Sequence, residues 1–539
     1  MLIPRYYEPL AVNVNSQHAK TQNLGYPEPP APDKQNLVRV AKGGGITLFG
    51  KIVTNIGRFV FAFLMARLLG AEQYGMYQLS LNAVTLLAGI TVLGFDGALL
   101  RFIAIYVNRD DRERTWGTIQ LGIGLPLILG SLTSIALFAF SYQVAVSVFD
   151  DIRMAPLLQI SSVIVPFSIL GSTLIGAVRG FKNMEYPVIA KFILQPIVKV
   201  VLIGIAAFFG LQVIHAVVIF GIGELLTAVT LIYYLNKLFP LKMSILSGRV
   251  DFKAVWKFTI PDWLAGLMDT FRGNIQTLLI GSLGSIAGVG IFTVANQLNI
   301  LGHDFYSSIN IAAKPYIAEL HDKNEKSQLE SIYQTSAKWS VLVNMPVFLA
   351  MVLFPTQILS IFGESFENGA LALVIMACVN LVDVGTGMGG AILNMTGYTR
   401  LKLLNNIVSV VVSIALNVLL IPRFGVVGAA ISALAVMSTV NALRIFQVYY
   451  LLKLIPYNRT FLKPIIAGLV TGILSYSLSR IYPIDAFILH LIVHVSVLFA
   501  VFAVMILLLK LDDDDRLMLN QITQKSQSLF QRFRKNKIR

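Results

Sequence analysis

Basic residues stand inside long apolar stretches of this 539-residue chain, at Lys51, Arg58, Lys199, Arg272 and Arg444. A charge at the centre of a membrane helix costs about 2.5–3.5 kcal/mol on insertion scales, so residues of this kind usually have a function. Guanidinium groups match phosphate oxygens bidentately. Arg58 and Arg272 are therefore candidates for binding an anion, whereas Arg444, near a helix end, is expected to extend to the membrane surface.

Two of these arginines belong to polar helix faces. Lys51, Asn55 and Arg58 follow i, i+4, i+7 spacing and share one face of the first predicted helix. The seventh predicted helix has a similar face with Asp262, Asp269, Arg272 and Gln276. The sequence leaves two interpretations open. One is an anion site between these faces, with Asn55, Asp269 and Gln276 lining its cavity; the other is structural ion pairing, of Asp269 with Arg272 and of Arg58 with a neighbour.

Several other charged residues have both a functional and a structural interpretation. Asp262, Asp304 and Asp383 are candidates for binding a coupling proton or sodium ion, and ordinary hydrogen-bonded packing is the alternative. Asp96 and Arg101 could gate a cytoplasmic opening or form an interfacial salt bridge. A further pair, Lys199 and Glu224, is predicted to be a buried structural ion pair.

Composition places these residues in a membrane protein. Apolar residues make up 56% of the chain and charged residues 13%, against about 25% charged residues in soluble proteins. We predict an all-α integral membrane protein of about fourteen helices, near residues 46–69, 76–100, 117–142, 153–177, 187–209, 212–236, 254–281, 286–312, 332–354, 368–393, 402–421, 425–452, 461–481 and 485–510.

The net charge of +15 reflects membrane topology rather than nucleic-acid binding. With a cytoplasmic N-terminus, Lys and Arg concentrate on the cytoplasmic side, and the external side retains only Arg67, Arg153, Arg423 and Arg480. This distribution predicts a multi-pass protein of the inner (cytoplasmic) membrane with both termini in the cytoplasm. Residues 1–45 are predicted to be a disordered cytoplasmic tail, and residues 511–539 a basic one.

A shift of 214 positions aligns the chain with itself. It places Arg58 on Arg272, Asn55 on Asp269 and Gly70 on Gly284, and Gly210 within one residue of Gly425. We predict two pseudo-symmetric six-helix lobes, residues 46–236 and 254–452, around a central cavity, with helices 13 and 14 appended at residues 461–510. Transporters with repeats of this kind bind substrate between the lobes and alternate access by rocking them.

Motifs for catalysis and metal binding do not occur. The run Gly45–Lys51 imitates a phosphate loop, but Ile52 replaces the required Ser or Thr and no strand precedes it. Cys378 is the single cysteine, so an intramolecular disulfide is excluded. We predict a transporter rather than an enzyme, without catalytic residues, metal ligands or cofactors apart from a coupling H⁺ or Na⁺.

Three segments carry a resemblance to a known family. The opening Gly50-Lys-Ile-Val-Thr-Asn-Ile through Ala66–Gly75, the stretch Leu93–Arg101 and the stretch Leu419–Ala430 resemble Wzx-type polysaccharide flippases. These belong to the multidrug/oligosaccharidyl-lipid/polysaccharide (MOP) exporter superfamily. The resemblance implies movement of a polyprenyl-diphosphate-linked oligosaccharide from the inner to the outer leaflet, for cell-surface polysaccharide biosynthesis.

The resemblance also implies roles and partners. Arginines hold the diphosphate in related lipid-linked precursor flippases, and Arg58 and Arg272 match them by helix position, with Lys51 a weaker match. The implied partners are a lipid-linked oligosaccharide, membrane lipids, a polysaccharide polymerase and glycosyltransferases, around a monomeric transporter.

Two alternative functions remain open. One is a multidrug/cation antiporter of the same superfamily, which would have an acidic or aromatic cavity. The other is a membrane glycan polymerase or ligase, which would have a large external loop.

Overall fold

The computed structural model describes residues 34–240, 248–482 and 487–509. Side chains are described from residue 57 onward within these ranges, except at positions 269, 272, 301, 302, 304, 305, 312, 487 and 488. The predicted tail at 511–539 and residues 1–33 of the other tail lie outside the described residues.

The all-α class is confirmed, because the described residues form helices and no strand. The helices are α1 Lys34–Thr91, α2 Phe95–Val107, α3 Arg112–Phe149, α4 Met154–Gly180, α5 Glu185–Phe208, α6 Val213–Leu238, α7 Phe252–Leu283, α8 Ile286–Asp322, α9 Lys326–Leu353, α10 Pro355–Ser360, α11 Ala370–Gly385, α12 Gly389–Met395, α13 Thr399–Leu452, α14 Leu462–Ile481 and α15 Phe487–Leu508. Short 3₁₀ turns precede α11 and α14, at Glu364–Gly369 and Arg459–Phe461.

The N-terminal part differs from its prediction. Residues 34–45 were expected in a disordered tail, but they are helical and continue into α1. The prolines that motivated the prediction end at Pro32, and Lys34–Val40 contains neither proline nor glycine. Nothing in that segment therefore removes a backbone donor or interrupts the helix.

Two helices are too long for a single crossing, and each bends at a glycine. At about 1.5 Å per residue, the 58 residues of α1 and the 54 of α13 far exceed a hydrocarbon core of about 30 Å. Gly70 in α1 has φ +73° and Gly425 in α13 has φ +54°, a left-handed conformation that glycine adopts without strain. Gly210, the predicted equivalent of Gly425, also has positive φ.

The molecule is a multi-pass membrane protein. Nine helices of the described residues are long and apolar enough to cross a bilayer, or ten if the bent pair Gly57–Thr91 and Phe95–Val107 counts as one span. The count of fourteen and the division into two lobes stay predictions. Helices α14 and α15 pack on each other and against α9.

Topology can be tested by labelling single cysteines in a Cys378→Ala background. Gln73 and Glu364 are exposed on the predicted external side, and Asn324 is exposed on the predicted cytoplasmic side. An impermeant maleimide should label Gln73→Cys and Glu364→Cys in intact cells, and Asn324→Cys only after permeabilisation. Labelling of Asn324→Cys in intact cells would reverse the assigned orientation.

Candidate functional site

Helices α1 and α8 approach each other closely at the predicted external end, along a contact we call the outer seam, residues 71–75 with 286–290. A side chain at Gly75 would collide with the carbonyl oxygen of Ile286, and one at Gly290 with that of Ala71. The two contacts are reciprocal. Gly75 and Gly290 are 215 positions apart in the chain, and so are the residues they meet, Ala71 and Ile286. A two-fold relation between homologous helices would give this arrangement.

An aromatic segment covers the outer seam. The chain between α9 and α11 buries Phe362 and Phe366, whose rings contact Phe59, Phe63 and Tyr74 of α1. Hydrogen bonds fix the same segment: Arg67 Nη1 donates to the Ser360 carbonyl at 3.2 Å, and the Ala71 N–H donates to Ser365 Oγ at 3.1 Å. The first and second halves of the chain are thus held together at this end.

The same two halves also meet at the predicted cytoplasmic end. We call this contact, between residues 90–102 and 256–263 of α7, the inner seam. Trp263 Nε1 donates to the Ile90 carbonyl at 3.0 Å, and Gly94 leaves room for the Thr259 carbonyl. The Phe102 and Phe258 rings pack edge to face.

Three predicted gating or coupling residues lie at the inner seam. The Asp262 carboxylate lies against Gly97, beside Asp96 of the other half. The Arg101 guanidinium stacks over the Phe258 ring at 4.9 Å, and no ion pair joins it to Asp96 among the described side chains. The structure therefore places these residues between the two halves but does not form the salt bridge that was the structural alternative.

Arg58 lies on an exposed part of α1. Its neighbours pack in different directions, Gly57 against Pro196 and Phe59 against Phe362. No described residue makes a hydrogen bond or ion pair with Arg58. Its donors are therefore free to meet a ligand as far as the described residues show.

Five other predicted site residues have their backbones in α1, α7 and α8, and their side chains lie outside the described ones: Lys51, Asn55, Asp269, Arg272 and Asp304.

A cavity of about 630 Å³ lies within the second half of the chain, which we call the C-half cavity. Helices α7, α8, α11, α12 and α13 line it. Two of the predicted site residues are on its wall, Gln276 and Asp383, and the Gln276 side chain donates to the Ala429 carbonyl at 2.6 Å. The cations on the wall are Lys314, Lys402 and Arg444.

A hydrogen-bonded network crosses one side of this cavity. Asn441 Nδ2 donates to Asp383 Oδ1 at 3.2 Å, and His303 Nε2 lies 3.3 Å from Asp383 Oδ2. Arg444 Nη1 donates to Asn441 Oδ1 at 2.9 Å. The expectation that Arg444 extends to the membrane surface is wrong, because this bond and the cavity wall hold it inside the bundle.

The first half has its own buried ionic cluster. Lys199 Nζ lies 4.0 Å from Glu224, so the predicted pair is present, but Lys191 binds both carboxylate oxygens at 2.8 and 2.9 Å. Gln195 Nε2 donates to the same carboxylate at 2.8 Å. Lys191, Gln195 and Lys199 recur every four residues, a spacing from which the whole cluster could have been predicted.

Comparison with known proteins decides the family. Residues 40–321, more than half of the chain, match the family described as Polysaccharide biosynthesis protein. The chain belongs to this family. The resemblance to Wzx-type flippases of the MOP superfamily is thereby confirmed, and residues 261–419 also match the MatE family.

The relatives of this protein include some that are named as flippases. It is 27% identical to the probable low-salt glycan biosynthesis flippase Agl15 of Haloferax volcanii over 177 residues. These aligned residues make up 33% of this chain and 37% of that relative. It is 21% identical to stage V sporulation protein B of Bacillus subtilis, over 81% of this chain and 90% of that protein. The name of the first of these relatives supports a membrane flippase, a transporter rather than an enzyme.

A solved structure shows the same fold. The lipid II flippase MurJ in an inward closed conformation superposes with a TM-score of 0.66 over 86% of this chain and 98% of that one, at 13% sequence identity. At this identity the likeness concerns the fold alone.

Proposed function

We propose that this protein moves a polyprenyl-diphosphate-linked oligosaccharide from the inner to the outer leaflet by alternating access, for cell-surface polysaccharide biosynthesis. The observation that carries the proposal is Arg58, an exposed guanidinium within a predicted membrane span that has no described partner. Together with Arg272, one turn before Gln276 in α7, it would bind the diphosphate, with Lys51 as a further cation. The polyprenyl chain would stay in the lipid.

The membrane potential suits this direction of transport. With the inside negative, moving one negative charge outward is favourable by about 2.3 kcal/mol per 100 mV. An empty cavity with net positive charge would return inward in the same field. A coupling proton or sodium ion would add to this driving force, and Asp383, beside His303 in the C-half cavity, is our candidate to bind it.

The match to the MatE family makes a multidrug/cation antiporter the second candidate. A cationic drug would need an acidic or aromatic cavity. The C-half cavity instead presents Lys314, Lys402 and Arg444 against Asp383. This balance of charge disfavours a cationic substrate and supports the proposal of an anionic one.

Proteoliposomes test the proposal directly. A fluorescent polyprenyl-diphosphate oligosaccharide is incorporated into both leaflets, and a membrane-impermeant reductant quenches the molecules on the outside. Vesicles with the protein should lose nearly all fluorescence, whereas protein-free vesicles should lose only the outer-leaflet share. Equal quenching in both kinds of vesicle, together with export of a cationic dye, would contradict the proposal and favour the antiporter.

A further inference from the structure

We propose that the C-half cavity binds the sugar headgroup of the transported lipid and selects a sugar with an anionic substituent, a carboxylate or a phosphate. Arg444 is the residue that binds this substituent. The inference rests on the proposed function, since it divides the transported lipid between two sites. The diphosphate would bind near Arg58, and the glycan would bind in the C-half cavity. Four observations support it.

The first observation is the unfilled bonding capacity of Arg444. A guanidinium has five N–H donors in a fixed plane. Among the described residues Arg444 makes one hydrogen bond, to Asn441, and no ion pair, although its side chain is partly buried. A guanidinium with unused donors on a cavity wall favours a ligand with anionic oxygens, because charge-assisted hydrogen bonds are the stronger ones.

The second observation is that Asp383, the carboxylate among the described lining residues, already has partners. Asp383 accepts from Asn441 through one oxygen and faces His303 through the other. Asn441 thus stands between Asp383 and Arg444, accepting from Arg444 with its own carbonyl oxygen. The network holds the guanidinium in place without neutralising it.

The third observation is the composition of the wall. Lys314 and Lys402 add two cations to Arg444, and the remaining polar groups are chiefly amides, which can both donate to and accept from sugar hydroxyls. Six amides line the cavity: Gln276, Asn296, Asn299, Asn310, Asn394 and Asn405. The volume of about 630 Å³ is in the range of small-molecule sites.

The fourth observation is the position of the cavity along α7. Gln276 lies one helical turn from Arg272 in the same helix, and its side chain is on the cavity wall. One turn is about 5.4 Å. A sugar in the C-half cavity would therefore lie next to the helix that carries the predicted diphosphate ligand, as the covalent order of lipid, diphosphate and sugar requires.

Binding of small sugars to the purified full-length protein tests the inference. The probes are radiolabelled glucose, glucuronate and glucose 6-phosphate, with inorganic phosphate as a competitor. We expect one or both anionic sugars to bind at least tenfold more tightly than glucose, and which one does so distinguishes a carboxylate from a phosphate. Arg444→Gln should reduce this preference to less than twofold, and Arg444→Lys should keep part of it.

Arg423→Gln is the matched control, because Arg423 is an exposed arginine of the same helix, next to its bend at Gly425, and does not line the C-half cavity. It should bind all three sugars like the wild type. Three results would overturn the inference: equal binding of glucose and both anionic sugars to the wild-type protein, competition by inorganic phosphate as strong as that by the anionic sugar, or unchanged preference in Arg444→Gln. The first two results are measured on the wild-type protein, so the inference can be tested even if the Arg444→Gln variant does not fold.

Failure of this inference can be told apart from failure of the proposed function. Sugar binding is measured without transport. If lipid-linked oligosaccharide is flipped but anionic sugars have no advantage, the C-half cavity is not the glycan site. If the preference is found but no flipping occurs, the site is supported and the proposed transport is wrong.

Discussion

Arg58→Ala should reduce flipping of the lipid-linked oligosaccharide by at least a hundredfold while the protein stays folded and inserted. Removing one partner of a desolvated, hydrogen-bonded charge pair typically costs about 2–5 kcal/mol, and every 1.4 kcal/mol is tenfold in affinity. The protein itself should tolerate the change, because no described residue depends on Arg58 for a hydrogen bond or ion pair. Arg58→Lys should keep part of the activity, since the charge remains but the bidentate fork is lost.

The same assay decides the role of Arg272. If Arg272 only neutralises Asp269, the double mutant Asp269→Ala/Arg272→Ala should recover function, because no unpaired charge remains in a low dielectric. If Arg272 binds the diphosphate, the double mutant should stay as inactive as Arg272→Ala. We expect the second result.

The measurement is flipping in proteoliposomes, normalised to protein in the membrane, with melting temperature as the folding control. Arg423→Gln, which changes an exposed arginine on the predicted external side, should behave like the wild type. Full activity of Arg58→Ala, or recovery in the double alanine mutant, would remove the diphosphate site.

Sequence reasoning reached the membrane class from composition, the family from contiguous motifs, and the Lys199–Glu224 pair from two helices that are neighbours in sequence. It missed the network around Arg444, whose members Asp383 and Asn441 are 58 residues apart. No periodicity within one helix reports a contact of that kind. From the sequence, Arg444 was expected to extend to the membrane surface because it is near a helix end. Only the packing of α8, α11 and α13 shows that it faces a cavity.

The seams were missed for a different reason. Gly75 and Gly290 are ordinary glycines in apolar helices, and their spacing of 215 residues becomes informative only when the two helices are seen in contact. Small residues let helix backbones approach closely in membranes. The reciprocal contact is what the predicted repeat would produce, since the shift of 214 positions places Gly75 within one residue of Gly290.

A conformational prediction follows from these glycines. Alternating access requires the outer seam to close when the substrate is loaded from inside and to open when it is released. Gly290→Ala would place a methyl group against the Ala71 carbonyl and 3.2 Å from the Gly75 nitrogen. Both obstacles are backbone atoms, which cannot rotate away as a side chain can. The outer seam should then fail to close, and flipping should fall at least tenfold.

Gly266→Ala is the control, because a methyl group at Gly266 in α7 meets no atom within 4 Å. Alanine is favoured over glycine in helices by about 1 kcal/mol, so this variant should flip normally and be no less stable. Closure can be read from a disulfide between Ala71→Cys and Ser365→Cys in the Cys378→Ala background, since Ala71 N and Ser365 Oγ are 3.1 Å apart. Adding Gly290→Ala should slow this cross-link, whereas Gly266→Ala should not. An unchanged cross-linking rate with normal flipping in Gly290→Ala would show that transport does not need the close backbone contact of the outer seam.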